Sequence, residues 1–127
     1  MNDRGTTRDF DFWVGEWDVF GPEGPHVGTN GVTVLFGGAL AERWRGDRGV
    51  EGHSLNAYDA PADRWHRTWV DSTGGLLLLD GGLLDGAMVL EGTAPAEPGT
   101  APEWQRITWR REGEGERGTV ETRHMAM

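Results

Sequence analysis

Phe10-Asp11-Phe12-Trp13-Val14-Gly15-Glu16-Trp17-Asp18-Val19 is the most specific stretch in this chain. Thr7 stands where it can cap a helical turn, which places Phe10, Trp13 and Val14 on one face at i, i+3, i+4 spacing. Gly15 stops the turn, and residues 16–20 read as a first strand. No convincing long amphipathic helix follows anywhere else.

Outward from this stretch the chain reads as short strands separated by turn residues. Gly21-Pro22-Glu23-Gly24-Pro25 is a turn, residues 26–36 a second strand, and Gly37-Gly38 its end. Residues 39–45 and 50–58 give a third and a fourth strand, joined through Gly46-Asp47-Arg48-Gly49. Asp59-Ala60-Pro61-Ala62-Asp63 turns the chain into a fifth strand at 64–71. A sixth at 75–84 carries Gly81-Gly82, where missing side chains permit a kink or bulge. Asp85-Gly86 suits a tight hairpin whose two central residues need φ > 0. Residues 87–92 are a seventh strand, 94–103 a proline-bearing loop and 104–110 an eighth strand, with a ninth placed near 118–123.

Eight or nine short antiparallel strands in consecutive hairpins favour an all-β, up-and-down barrel over a sandwich, because closure removes exposed edges. With 127 residues the chain is read as a single domain. The barrel core occupies about 9–111, and 112–127 is a polar tail.

Composition excludes several chemistries. There is no Cys, so disulfides, thiolate nucleophiles and iron–sulfur ligation are out. All twelve basic residues are Arg, so no side-chain amine can form a Schiff base. The net charge is −9 and the basic residues are scattered along the sequence, which disfavours nucleic acid and anionic membranes as partners. The longest apolar run, Leu76 to Leu79, is far too short to span a bilayer, and a cytoplasmic location is the default expectation.

Strand alternation sorts the side chains into two faces. Large aromatics belong inside, so the faces of Trp44, Tyr58, Trp65 and Trp69 are taken as interior. The same faces bring in Glu42, Ser54, Asn56, Arg67 and Asp71. Apolar walls with a few placed polar groups suit a binding cavity. The competing reading is a structural ion pair, Arg67 with Asp71 or with Glu42.

The helical turn running into Gly15-Glu16-Trp17 resembles the lipocalin and fatty-acid-binding (calycin) superfamily. In those proteins the Trp closes the barrel floor; here the resemblance implies that role for Trp17, packed by Phe10 and Trp13. Further stretches sharpen the likeness: Gly52-x-Ser54-x3-Tyr58-Asp59, Trp65-x3-Trp69-Val70-Asp71, Asp85-Gly86-x-Met88-x-Leu90-x-Gly92 and Arg106-x-Thr108-Trp109. Together they resemble an uncharacterised bacterial family of lipocalin-like barrels bearing an FDFWVGEWDV-type signature. That likeness implies a fold and carries no activity. It covers residues 9 to about 110. Beyond Arg110 the closing Trp-rich hairpin of such a family is missing or altered, so the barrel is expected to be open on one side or closed by a second copy, a homodimer.

The leading expectation is therefore binding of a small, largely apolar molecule. Trp44, Tyr58, Trp65 and Trp69 would form the walls, with Glu42, Ser54, Asn56, Arg67 and Asp71 as polar anchors. An interior Arg favours a carboxylate-bearing ligand. The alternative is an acid/base enzyme of isomerase, cyclase or dehydratase type using Glu42 and Asp71. No metal or haem site is expected, because no two of His26, His53, His66 and His124 share ligand spacing. Ser54 lacks a nucleophile elbow. No cofactor is anticipated.

Overall fold

Short apolar runs with alternating burial and glycine-rich breaks between them fold into one antiparallel sheet. The computed structural model describes residues 5–21, 23–94, 103–112 and 117–126. Among these residues are nine strands: β1 (Gly15–Phe20), β2 (His26–Val34), β3 (Leu40–Gly46), β4 (Glu51–Asp59), β5 (Arg64–Asp71), β6 (Leu76–Leu84), β7 (Ala87–Ala94), β8 (Glu103–Glu112) and β9 (Arg117–Ala126). Each strand pairs with its neighbour in sequence, in the order β1 to β9. This is the up-and-down arrangement that the hairpin spacing anticipates, and not a sandwich of two sheets. Among the described residues no ladder joins β1 to β9, and the sheet curls into a half-barrel.

The turns explain why the chain reverses where it does. Asp85 and Gly86 both adopt positive φ (51° and 81°), the backbone that a two-residue hairpin with native twist requires. Gly81 and Gly82 behave differently from expectation. No register shift occurs there; the only one described lies between Val19 and Phe20. Gly81 instead lets the β7 backbone come close: a Cβ at this position would collide with the Val89 carbonyl.

Two single-turn 3-10 helices interrupt the strands, Asp11–Trp13 and Phe36–Gly38. Thr7 does not cap the first one. Thr6 and Asp9 organise that entrance: Thr6 N and Oγ1 donate to the Asp9 carboxylate at 2.9 and 3.1 Å, and Arg8 N donates to Thr6 Oγ1.

This turn delivers Phe10 and Trp13 onto the inner face, where they plug one end of the half-barrel. Their rings stack at 4.6 Å. Phe10 also meets Trp109 and Trp65 edge-on at 5.0 and 5.8 Å. Val32, Leu40, Leu79, Met88, Leu90 and Ile107 complete the core at this end. Each of these side chains contributes roughly 1.5–3 kcal/mol on full burial. Trp17 packs against the plug and donates its Nε1–H to Trp13 O at 2.7 Å, but it is only half-buried. Closure of this end is thus the work of Phe10 and Trp13.

Because the strands run up and down, the β1–β2, β3–β4 and β5–β6 turns gather at the opposite end. Inner-face burial is less complete there. Trp44 and Trp69 are half-buried there, unlike Trp65 and Trp109 at the plugged end.

Candidate functional site

The inner face between the plug and the less buried end carries a cluster of charged and polar side chains. Cross-strand register brings it together. Glu42 on β3 stands opposite Ser54 on β4, and Asn56 on β4 stands opposite Arg67 on β5. Asn30 on β2 lies opposite Trp44, one inward position along from Glu42. All five polar residues are buried.

Their hydrogen bonds form one connected network. Glu42 Oε1 accepts from Arg67 Nη1 and from Ser54 Oγ, both at 2.7 Å. Glu42 Oε2 accepts from Asn30 Nδ2 at 2.8 Å. Ser54 Oγ in turn accepts from Asn56 Nδ2 at 2.8 Å and from Arg67 Nη1 at 2.9 Å. Asn56 Oδ1 accepts from Arg67 Nη1 at 3.3 Å. A buried charge pair persists only when its remaining donors and acceptors find partners, and these three polar side chains supply them.

Aromatic rings surround the cation. The Arg67 guanidinium carbon lies 5.3, 5.4 and 5.8 Å from ring centroids of Trp69, Trp109 and Trp13. Indole faces attract a guanidinium electrostatically, more strongly where water is absent. Arg67 Nε is buried with no hydrogen-bond partner among the described residues, as are Asn30 Oδ1 and Trp65 Nε1. The Asn30 orientation follows from its neighbour: a carboxylate needs the amide NH2, which leaves Oδ1 over.

Of the nine side chains singled out from the sequence, Glu42, Ser54, Asn56 and Arg67 meet in this network. Arg67 pairs with Glu42, so the structural ion pair weighed against a pocket is present in that form. Trp69 lies against the network through its ring. Trp44 and Trp69 also cover backbone: a Cβ at Gly28 would fall within the Trp44 ring, and one at Gly52 within the Trp69 ring. Trp65, at 1% exposure, belongs to the plug rather than to an open wall. Tyr58 packs against the same core and donates its hydroxyl to Asp63 Oδ1 at 2.6 Å.

Asp71 is occupied elsewhere. Its carboxylate accepts from Thr73 N and Oγ1, Gly75 N and Trp69 Nε1, the last at 3.0 Å. These bonds, led by the Thr73 and Trp69 side chains, hold its carboxyl down at about 2. Asp71 therefore closes the β5–β6 turn and orients Trp69.

Two participants escaped the sequence reading. Asn30 shares the inner face of β2 with Val32, so alternation could have found it. Trp109 reaches Arg67 only because β8 curls around to the same interior, which no local pattern announces. Among the described residues no group of three or more His, Asp or Glu side chains converges as a metal set. No helix among them is long and apolar enough to cross a membrane.

Compared with known proteins, the chain matches no family model and no curated sequence.

Proposed function

We propose that this protein binds a small, largely apolar molecule on the inner face of its curled sheet, at the end away from the Phe10–Trp13 plug. The carrying observation is the contrast in burial along that face: Trp44 and Trp69 remain half-buried beside a sealed polar network. Partly uncovered indoles inside an incompletely closed sheet are surface that an apolar ligand can cover. The lipocalin-like character of the Phe10–Val19 stretch agrees with such a role.

The Glu42–Arg67 pair bears on the ligand's polar end. An unpaired interior arginine would call for a carboxylate, but Glu42 already compensates this charge at 2.7 Å. A second carboxylate beside the pair would bring an uncompensated charge out of water. A neutral polar end, a hydroxyl or carbonyl, suits the site better. Acid–base catalysis draws less support, since both Glu42 oxygens are engaged by donors and Asp71 is held ionised by its turn.

Native mass spectrometry of the purified protein, followed by denaturing extraction, tests for a retained molecule. Titration with decanol and decanoate, read by tryptophan fluorescence, tests the class. Saturable binding of decanol, tighter than of decanoate and weakened at least about tenfold in Trp44→Ala, is expected. An empty protein with no saturable response to either compound would refute the proposal.

A further inference from the structure

The outer face carries a hollow of its own, which touches the inner site only at Glu42 of β3. It spans β1 to β4 and has a volume of about 400 Å³. Its geometry follows from register. Glu16, Gly31, Arg43 and His53 are successive cross-strand partners, so they form one row across four strands. Gly31 has no side chain to fill its place in that row, and Ala41 on β3 keeps the neighbouring position low. Arg45, opposite Thr29, adds a second arginine two residues along the same face, about 7 Å from Arg43. Thr29 and Thr33 place hydroxyls beside them.

Charge satisfaction sets this hollow apart. Arg8, Arg64, Arg67 and Arg106 each have an acidic partner. Among the described residues Arg43, Arg45, Arg48 and Arg110 have none, and of these only Arg43 and Arg45 line the hollow together. Glu16 lies in the same row as Arg43 yet does not pair with it. Its carboxylate lies across Gly31 instead, with Oε2 2.7 Å from where a Cβ would stand. Residues that look scattered in sequence, Arg43, Arg45 and His53, thus converge on one concavity in a chain of net charge −9.

We infer that this hollow binds a small phosphate ester bearing hydroxyl groups. Two guanidinium groups and a histidine are suited to a phosphate dianion, with the threonine hydroxyls as further donors. Glu16 cannot serve the phosphate. As an acceptor lying over Gly31, next to Arg43 in the row, it suits hydroxyls on the same ligand. The volume accommodates a molecule of monosaccharide-phosphate size.

Glucose 6-phosphate is the probe, with glucose as its control, in a titration of the ¹⁵N-labelled protein followed by NMR. Saturable shifts at Thr29, Gly31, Arg43 and His53 amides are expected, with Kd on the order of 1 mM or tighter. Glucose alone gives none. In the Arg43→Gln/Arg45→Gln protein, binding weakens at least about tenfold. Both arginines are exposed, so this variant keeps the fold and its response to decanol. Failure of glucose 6-phosphate to saturate, or binding that survives the double substitution, overturns the inference.

Discussion

Arg67 Nη1 donates to Glu42 Oε1 at 2.7 Å, and the two side chains are only 6% and 7% exposed. The contact ties β5 to β3 across the intervening β4, with Ser54 and Asn56 of that strand bonded to the same guanidinium nitrogen. A pair so enclosed responds to mutation in a way that a surface pair does not.

Removing one partner strands the other charge in a dry interior. Glu42→Leu and Arg67→Leu should each destabilise by about 3–5 kcal/mol. The double variant removes both charges together, so its loss should fall well short of the sum. Urea denaturation of the four proteins in a double-mutant cycle measures the coupling. Additive losses would show that the pair is energetically idle.

The two tryptophan-covered glycines should be intolerant of the smallest side chain. Gly52→Ala forces the Trp69 ring off the β4 backbone and should cost about 1–3 kcal/mol. Gly82→Ala, where a Cβ meets nothing within 4 Å, should change stability by less than about 0.5 kcal/mol. Equal melting temperatures for the two variants would contradict the packing described.

His26 bridges two carboxylates at the end opposite the plug, Asp18 through Nε2 at 3.0 Å and Asp47 through Nδ1. Both ring nitrogens face acceptors, and only the imidazolium carries two N–H donors. The Asp47 bond first, then the Asp18 bond, raise the pKa above the ordinary 6.5. This contribution to stability is fully present below pH 6.5 and is lost as pH rises through the folded-state value. An NMR titration should place the His26 midpoint above 6.5, and His26→Gln should abolish that alkaline-side loss. A midpoint at or below 6.5 would remove the bridge from the account.

Asp71 acts in the opposite sense. Its carboxyl drops from 3.8 to about 2 in the fold, so its contribution is present above pH 3.8 and disappears as pH falls towards 2. Asp71→Asn should flatten stability across that acid window and leave the alkaline side unchanged. It should also loosen Trp69, whose Nε1–H loses a charged acceptor, seen as a shifted tryptophan emission.

Much of the architecture is legible along the chain. Strand alternation and turn residues are local, so eight or nine strands and the Asp85-Gly86 reversal follow from short windows. Alternation also selects Glu42, Ser54, Asn56 and Arg67 as inward-facing. It is silent on partners: Asp71 shares the inner face of β5 with Arg67 on the same strand, yet Arg67 bonds Glu42, 25 residues away. The Gly81-Gly82 pair reads locally as a kink, whereas the structure uses Gly81 for a close approach of β7.

Sequence by itself thus determined the all-β class, the hairpin order and the inward face of the third, fourth and fifth strands, because these depend on backbone geometry over two to ten residues. Tertiary structure alone decided who meets whom. Register joined Glu42 to Arg67, curvature carried Trp13 and Trp109 to the same guanidinium, and the four-strand row set Arg43 and His53 in line with Gly31, over which the Glu16 carboxylate lies. Such contacts depend on the summed twist and pairing of whole strands, which no local window contains.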